Sequence, residues 1–510
     1  MSDEQVVVVG AGMAGLVSAL QLAHRGMKVT VVDPAEQPGG KIRQLMVQGA
    51  AIDSGPTVFT MRWVFEQIYA SVGESLSDQV QLEQLPIIGR HAWTDGSTLD
   101  LFADPERSRE AIRTFSGPEE ATRFDKFCQL IRKVYDTLEG PYIRAAHPTP
   151  MSLTKDIGWQ GLGVLGGLGA MPTLWQSLRQ QFRDPRLVQL FGRYATYCGS
   201  SPWAAPATLM LIAQVELDGV WSVRGGIHAL VKNLEKLALQ RGVTFRYGTW
   251  CQRINTSQGR VCGVTLQNGE VLRADKVVFN GDAQALRSGL LGQEVTGAVP
   301  SKSPTRSLSA MTWSVYARTS GFELDRHNIF FQNNYAREFE DIFAKQRLPQ
   351  QPTVYVCAQD RGTDTQPTDK ERLLCLINAP AVGDSQALTQ ETLQACQTQT
   401  FSMLQNFGLS VHAGSQDLIC TSPQDFAQRF PATGGALYGQ ATHGWMAAFA
   451  RPYGRSQLPG LYLAGGSIHP GPGMPMAALS GRMAVEALMA DRNSTKRFHP
   501  AATYGGTLTQ

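Results

Sequence analysis

The sequence predicts a mixed α/β fold, with a Rossmann-like lobe and a second lobe of antiparallel sheet plus helices. Three observations predict it. The chain has 510 residues, which is too long for one ordinary hydrophobic core. Residues 5–33 read as strand, glycine-rich turn, helix and second strand. Two later segments, 221–282 and 460–490, again alternate strand and helix, so separated pieces are expected to build the first lobe.

The first piece carries a dinucleotide-binding pattern. A β-rich run over residues 6–9 leads directly into Gly10-Ala-Gly12-Met-Ala14-Gly15 and an apolar helix. Gly10 allows the tight turn, Gly12 lets the backbone approach a pyrophosphate, and Gly15 lets the helix pack against the strand. Asp33 ends the second strand, where a carboxylate can accept hydrogen bonds from ribose hydroxyls and disfavours a 2′-phosphate. These four residues, with Ala14 in the turn, are predicted to hold a dinucleotide.

The segments that follow favour FAD over NAD. Gly39-Gly40-Lys41 and Gly55-Pro56-Thr57 are similar to turns of flavoproteins of the amine-oxidase and phytoene-desaturase type. This likeness implies that Lys41 or its backbone meets the pyrophosphate and that residues 55–57 pass near the flavin. No second G-x-G-x-x-G follows a strand, so the reduced flavin is expected to be reoxidised by another agent.

The two later pieces are expected to complete the FAD site. By likeness to flavoproteins with two dinucleotide folds, the backbone at Cys251 would hold the adenine. The helix predicted to start near Pro475 would aim its N-terminus at the flavin edge where negative charge accumulates on reduction. The contact residues predicted in these pieces are Cys251, Asp282, Gly465, Gly466, Gly473, Met474 and Met476.

The domain boundaries follow from these pieces. The FAD-binding lobe is predicted over 1–75, 220–295 and 445–492. The second lobe, for substrate and membrane contact, is predicted over 76–219 and 296–444, with strands near 311–318, 354–358 and 373–378. The polar stretch 493–510 is expected to be a flexible tail.

Composition excludes several classes of function. The chain is 43% hydrophobic and only 17% charged, with a net charge of +3, which gives no basic surface for nucleic acid. Its eight cysteines form no C-x-x-C pair and its histidines no metal-binding pattern, so no metal is expected. The start of the chain has no basic run followed by an apolar run, so export is not expected. The uncharged stretch between Asp156 and Arg179 is rich in Gly and is predicted to be interfacial or substrate-lining rather than a spanning helix.

Several motifs resemble the carotenoid desaturase family of FAD-dependent oxidoreductases, over almost the whole chain. They are Gly55-Pro-Thr57, His327-Asn-Ile-Phe-Phe331 with Tyr335 and Glu338-Phe339, Ser422-Pro-Gln-Asp-Phe426, Gly434-Gly-Ala-Leu-Tyr-Gly439, and His469-Pro-Gly-Pro-Gly-Met-Pro475. Residues 94–102, 184–199 and 219–226 resemble the branch that acts on 1-hydroxycarotenoids.

The resemblance implies that a C3–C4 double bond is introduced into acyclic 1-hydroxy- or 1-methoxycarotenoids, with oxygen or a quinone as electron acceptor. It implies a cytoplasmic protein in peripheral contact with the inner or photosynthetic membrane. Ser467-Ile468 and Met476 depart from the usual family residues and imply a reshaped site. The alternatives are a phytoene-type desaturase or other carotenoid oxidase, an amine or protoporphyrinogen oxidase, and a non-catalytic lipid chaperone of the same fold.

Catalytic side chains are harder to assign, because a polyene can stabilise charge at an allylic carbon by itself. The first candidates are His469, Arg193 and Glu216. Arg193 could hydrogen-bond a substrate hydroxyl, and His469 belongs to the loop near the flavin. Further candidates for a base, each with a purely structural alternative, are Tyr194, Tyr197, Asp218 and His228.

Overall fold

The computed structural model describes residues 4–166, 168, 172–301, 305–362, 367 and 369–497. In chain order the strands are β1 Gln5–Val9, β2 Lys28–Val32, β3 Gln44–Val47, β4 Ala50–Asp53, β5 Leu82–Gln84, β6 Ile87–Trp93, β7 Thr98–Phe102, β8 Trp221–Val223, β9 Thr244–Arg246, β10 Cys251–Ser257, β11 Arg260–Leu266, β12 Val271–Arg273, β13 Lys276–Phe279, β14 Ser309–Gly321, β15 His327–Phe331, β16 Val354–Ala358, β17 Glu371–Ala379, β18 Leu409–His412, β19 Leu418–Thr421 and β20 Leu461–Leu463.

The helices are α1 Met13–His24, α2 Arg62–Ala70, α3 Leu76–Gln79, α4 Pro105–Ser116, α5 Pro118–Leu138, α6 Pro150–Gly166, α7 Leu174–Gln181, α8 Pro185–Gly192, α9 Leu211–Leu217, α10 Ile227–Gln240, α11 Ala283–Arg287, α12 Tyr335–Phe339, α13 Gln390–Asn406, α14 Pro423–Arg429 and α15 Met474–Arg497. Short 3₁₀ helices include Arg193–Cys198 and Trp445–Ala450.

The first lobe is built on a parallel sheet in the order β20-β13-β1-β2-β9. Its strands are contributed by the three separated pieces of the chain, with β1 and β2 from the first, β9 and β13 from the second and β20 from the third. Helices α1, α10 and α15 pack on one face through a common apolar core. A three-stranded sheet, β10-β11-β12, packs with β13 and β20 through a second core. This arrangement confirms the expected Rossmann-like lobe.

The second lobe contains a sheet in the order β18-β14-β17-β16-β15-β6-β7, with β19 paired to β14. Among its described strands, β6 and β15 run parallel and the other neighbours run antiparallel. Helices α5, α7 and α8 bury a cluster of aromatic rings beside it, namely Phe124, Phe127, Phe182 and Phe191. The expected antiparallel sheet with helices is therefore present, with one parallel pair.

The hairpin of β3 and β4 joins the two lobes beside the predicted flavin segment. The backbone N–H of Asp53 donates to Gln359 Oε1 (3.0 Å), and Gln359 Nε2 donates to the Asp53 carbonyl (2.7 Å). The hydroxyls of Ser54 and Ser314 are 2.6 Å apart, and all four side chains are buried. Reciprocal buried hydrogen bonds therefore fix the hairpin to β14 and to the end of β16.

Two segments contain helix that the sequence analysis did not assign. The glycine-rich stretch, predicted to be interfacial or substrate-lining, begins as helix α6, which continues through a kink at Gly158 to Gly166, although Gly167 and residues 169–171 lie outside the described residues. Leu153, Val164 and Leu165 pack against the apolar core of the second lobe, and this burial outweighs the low helix propensity of glycine. Helix α15 continues to Arg497, so the expected tail is helical over 493–497, and residues 498–510 are outside the described part.

None of the helices in the described part of the chain combines the length and the apolarity that a bilayer crossing requires.

Helix α1 lies between β1 and α15 at very close range. A Cβ atom at Gly15 would lie 2.0 Å from the Gly10 carbonyl oxygen, and one at Gly481 would lie 2.4 Å from the carbonyl oxygen of Ala14. Both neighbours are backbone atoms, which cannot rotate away. Glycine at 15 and 481 is therefore required by packing.

We predict that Gly481→Ala lowers the free energy of unfolding by about 1–3 kcal/mol, because the added methyl forces α15 away from α1. Thermal unfolding measures the effect as a lower Tm. Gly163→Ala is the matched control, since no atom of the described residues lies within 4 Å of the place that an added Cβ would take on α6. Equal Tm values for Gly481→Ala and Gly163→Ala would contradict the packing argument.

Candidate active site

One cavity of about 1460 Å³ runs from the glycine-rich turn after β1 into the second lobe. At one end it is lined by Gly10, Asp33 and Cys251. At the other end it reaches Leu376 and Asn378 on β17. The two lobes therefore enclose a continuous space, and a group held by the first lobe adjoins a chamber formed by the second.

The residues predicted to contact the cofactor lie around the first part of this cavity. Gly15 is the exception, and its position behind the turn agrees with its predicted role in helix packing. The members of the predicted set that line the cavity are Gly10, Gly12, Ala14, Asp33, Gly39, Gly40, Lys41, Gly55, Pro56, Thr57, Cys251, Asp282, Gly465, Gly466, Gly473, Met474 and Met476.

Asp33 lies at the end of β2, where its carboxylate holds the turn after β1. Its Oδ2 accepts the backbone N–H of Ala11 (2.6 Å), and its Oδ1 accepts that of Ala35 (2.8 Å). Burial raises the pKa of this carboxyl, and the two hydrogen bonds oppose the rise. An ionised carboxylate has about four acceptor positions, so acceptor capacity remains for ribose hydroxyls.

Two helices aim their N-termini at the cavity. Helix α1 begins after Gly12, and Met13 and Ala14 line the cavity in its first turn. Helix α15 begins at Met474, and Met476 lines the same space. Unpaired N–H groups and a partial positive charge at both ends favour the phosphates and the electron-rich edge of a bound flavin.

The side chain of Lys41 takes a direction that the sequence left open. Its ammonium donates to the carbonyl of Leu437 (2.5 Å) and lies 5.3 Å from the centre of the Phe430 ring. Burial lowers its pKa. The ammonium therefore points into the second lobe, and only the backbone of Lys41 is placed to meet a pyrophosphate.

The thiol of Cys251 is engaged within its own strand. Its Sγ lies 3.6 Å from the carbonyl oxygen of Arg253, and burial raises the pKa of the thiol to about 12. A thiol with that pKa is protonated near neutral pH and is a poor nucleophile. The geometry therefore leaves the backbone of Cys251, rather than its sulfur, as the part that a nucleotide would meet.

Arg193, Tyr194, Tyr197 and Glu216 form a buried polar cluster on the wall of the second lobe. Arg193 Nη1 donates to Tyr197 Oη (2.7 Å), and Nη2 lies 3.4 Å from Glu216 Oε2. Tyr197 and Tyr194 each donate to one carboxylate oxygen of Glu216, at 2.7 and 2.6 Å. Arg193, Tyr197 and Glu216 line the cavity, so two of the three first catalytic candidates face it.

A second polar group joins the predicted flavin segment to the large sheet. Thr57 Oγ1 is 2.7 Å from Tyr355 Oη, which is 2.7 Å from His327 Nδ1. Burial lowers the pKa of His327 to about 3, helped by the nearby charges of Arg326 and Arg193. His327 is therefore neutral at ordinary pH.

The remaining candidates lie away from the cavity or have structural roles. His469 does not line the cavity; its Nε2 pairs with the carbonyl of Ala145 (2.8 Å), and burial lowers its pKa to about 4. His228 Nε2 pairs with the carbonyl of Pro38 (3.1 Å), and Asp218 forms an ion pair with Arg132 at the surface. The His469 ring is therefore engaged by backbone and does not itself line the cavity, whereas the adjacent Pro470 does.

Sequence reasoning located three strands of the second lobe but did not identify which side chains of its sheet line the cavity. These are Thr312, Ile329, Thr353, Tyr355, Leu374, Leu376 and Asn378. The spacing of two between 353 and 355 and between 374, 376 and 378 is the alternation expected on one face of a sheet. This alternation can be seen in the sequence, but it does not indicate which face of the sheet is directed toward the other lobe.

The rim of the cavity is formed by elements that are also exposed. Leu153 and Leu165 of α6 line the cavity, whereas Met151 and Trp159 of the same helix are 84% and 90% exposed. The adjacent short helix Trp445–Ala450 contributes further lining and exposed apolar side chains. Apolar surface therefore continues from inside the cavity onto the outside of the protein.

Among the described residues, no group of three or more His, Cys, Asp or Glu side chains is arranged to hold a metal ion.

Comparison with known proteins gives consistent results. The family model described as flavin containing amine oxidoreductase matches residues 13–489. The chain is 55% identical to a hydroxyneurosporene desaturase of Rubrivivax gelatinosus, over 100% of this chain and 98% of the relative. It is 44% identical to a hydroxyneurosporene desaturase of Cereibacter sphaeroides, over 97% and 99%.

Among solved structures, putrescine oxidase bound to putrescine aligns with a TM-score of 0.61 at 13% identity, covering 96% of this chain and 99% of that one. That likeness concerns the fold. The cofactor is FAD, since the family match agrees with a cavity that offers two helix N-termini and a turn where glycines leave room for a pyrophosphate.

We predict that Asp33→Ala raises the dissociation constant of FAD about 10- to 100-fold, because the turn after β1 loses the carboxylate that holds Ala11. Titration of the apoprotein with FAD, followed by flavin fluorescence, measures the constant. Cys251→Ala is the control and is expected to bind FAD within about twofold of the parent, since its thiol makes only a local contact. A larger loss in Cys251→Ala than in Asp33→Ala would refute both assignments.

Proposed function

Since the chain belongs to the family of flavin-containing amine oxidoreductases, we propose that it is a carotenoid desaturase that introduces a C3–C4 double bond into acyclic 1-hydroxy- or 1-methoxycarotenoids. The observation that carries the proposal is the apolar chamber that continues from the flavin site into the second lobe. Identity of 55% over the full chain to a hydroxyneurosporene desaturase supports the substrate class.

Desaturation removes one hydrogen as a hydride and releases a neighbouring one as a proton to water, leaving a new C=C bond. Bound FAD supplies the acceptor for the hydride and its two electrons. The residues of the chain align the substrate with the flavin. Apolar side chains from both walls, such as Leu209 and Ile212 on one side and Ile329 and Leu374 on the other, line the cavity beside residues 55–57. A stiff polyene held between them has few orientations, which places the allylic carbon against the flavin.

We propose that Arg193, which faces the cavity, acts on the substrate directly and that Glu216, its ion-pair partner, acts by positioning it. His469 is better suited to shaping the loop, since its ring packs edge-on against Tyr142 (5.2 Å between centres) and its Nε2 is engaged by backbone. We propose oxygen or a membrane quinone as the final electron acceptor.

The proposed activity predicts a red shift in the absorption of a 1-hydroxycarotenoid incubated with the FAD-loaded protein, because each added conjugated bond lengthens the polyene. Absorption spectra and mass loss of two hydrogens measure the product. Anaerobic incubation with and without a quinone identifies the acceptor. A protein that binds FAD but changes no acyclic carotenoid under either condition would exclude the desaturase and leave the lipid chaperone.

We further propose that the exposed apolar rim docks on a lipid bilayer, in which an apolar carotenoid dissolves. Trp159 and Met151 project from α6, which also lines the cavity, and Trp445 and Met446 project from the neighbouring short helix. Tyr142 Oη donates to the Ala448 carbonyl (3.0 Å), and this bond links the segment that follows α5 to the short helix Trp445–Ala450. An exposed apolar patch that continues into a chamber lets a substrate pass from lipid to protein without crossing water.

We predict that the double variant Met151→Ser with Trp159→Ser lowers binding to phospholipid vesicles about 10-fold or more, since both side chains would lose burial in lipid. Cosedimentation with vesicles of mixed zwitterionic and anionic lipid measures the bound fraction. Leu239→Ser is the control, because Leu239 is 52% exposed on α10, away from the rim. Equal vesicle binding by the parent and the double variant would contradict the proposed docking face.

A further inference from the structure

We propose that Arg193 and Tyr197, supported by Glu216, bind the oxygen atom of the carotenoid end group and thereby determine specificity for oxygenated ends. The inference rests on the proposed desaturase function and assigns a recognition role within it. Arg193 and Tyr197 would touch the substrate, and Glu216 would act by positioning them.

The cluster is unusual because it places a charged pair inside an apolar chamber. Arg193 is 6% exposed and Glu216 is 2% exposed, and both line the cavity. Burying an ion pair costs free energy that apolar residues of the same volume would not cost. A pure hydrocarbon substrate forms no hydrogen bond with the ion pair and cannot offset that free energy. A substrate oxygen can, because it accepts a hydrogen bond from the pair.

Arg193 also retains unused hydrogen-bonding capacity. A guanidinium has five N–H donors. Arg193 donates through Nη1 to Tyr197 Oη and through Nη2 to Glu216 Oε2, and its Nε–H has no partner among the described residues. Burial acts to lower its pKa, but Tyr197, Tyr194 and Glu216 together outweigh burial and raise the pKa. The guanidinium therefore stays charged and is a strong donor to a neutral oxygen.

Tyr197 supplies the complementary acceptor. Its ring is partly open to the cavity, unlike that of Tyr194, which is fully buried. Tyr197 Oη donates to Glu216 and accepts one N–H from Arg193, and a phenol oxygen has a second lone pair. A substrate hydroxyl can thus accept from Arg193 and donate to Tyr197, whereas a methyl ether can only accept from Arg193.

The position of the cluster suits an oxygen on C1. Thr57 of the flavin segment contacts Tyr355, and Tyr355 contacts His327. Arg193, Tyr197 and Glu216 line the same cavity as Thr57 and Tyr355. C1 is separated from C3 by two bonds, so its oxygen must lie near the flavin when C3 and C4 react.

A second buried carboxyl, that of Glu338, does not line the cavity but hydrogen-bonds to Thr353 and Asn378, which do. Glu338 is buried, accepts hydrogen bonds from Asn378 Nδ2 (2.9 Å) and from the N–H and hydroxyl of Thr353 (2.9 and 2.8 Å), and burial raises its pKa to about 7. Its carboxyl has hydrogen bonds on both oxygens, and it is not a charged donor. A methoxy oxygen needs a donor, which favours the Arg193 cluster for both kinds of end group.

The test uses FAD-loaded protein and three carotenoids that differ only at C1: 1-hydroxy, 1-methoxy and unsubstituted. Two readouts are taken, kcat/KM from the red shift and equilibrium affinity from quenching of protein fluorescence. Tyr197→Phe is expected to lower kcat/KM and affinity for the 1-hydroxy compound about 10-fold, and to leave the values for the other two compounds within about twofold of the parent.

The paired variant Arg193→Met with Glu216→Gln removes both charges together, so no buried charge is left alone. It is expected to lower both readouts for the 1-hydroxy and 1-methoxy compounds about 10- to 100-fold and to spare the unsubstituted one.

Tyr142→Phe is the matched control, because this phenol also lines the cavity but hydrogen-bonds to Ala448 at the rim. It is expected to leave the ratio between the three carotenoids unchanged. Equal losses for all three carotenoids in Tyr197→Phe, or an unchanged ratio in both cluster variants, would overturn the proposal. Should the parent bind the carotenoids without converting any, the desaturase function fails, and the affinity ratios still decide whether the cluster recognises the end group.

Discussion

The close approach of three backbones at helix α1 determines where the active site lies. Gly15 lets α1 rest on the turn that starts at Gly10, and Gly481 lets α15 rest on Ala14. Because the first turn of α1 packs against α15 about two turns from the start of α15, the N-terminal ends of both helices face one space. Residues from the two ends of the chain thereby share one cofactor site, and the large sheet closes that space from the other side.

The first lobe could be predicted from sequence because each of its parts has a local signal. The turn after β1, the acidic end of β2 and the helix after Gly473 are defined by glycine and proline positions that few other structures require. Side-chain directions had no such signal. Lys41 points to a carbonyl at residue 437, and α6 forms in spite of its glycines because Leu153 and Leu165 find an apolar core elsewhere in the chain. Both depend on tertiary contacts, which no short segment encodes.

In the second lobe, too, the strands could be predicted from the sequence but the directions of their side chains could not. The strands expected near 311–318, 354–358 and 373–378 are present as parts of longer or matching strands, but their cavity-facing residues became clear only from the pairing of β14, β16 and β17. Arg193 and Glu216 were singled out by residue type, and the structure adds that two tyrosines join them. The sequence can indicate that a charged residue is a candidate, but only the packed structure shows that it is buried in an apolar wall.

The reciprocal bonds between Asp53 and Gln359, with Ser54 against Ser314, have a consequence for how a long substrate comes and goes. A clamshell movement of the two halves would have to break buried hydrogen bonds beside the flavin, and exposing them unpaired is costly. These hydrogen bonds therefore oppose a hinge opening of the two lobes at this hairpin. A long polyene would then enter and leave through the exposed apolar rim at α6, where Gly158 interrupts the helix and permits a local change of its direction.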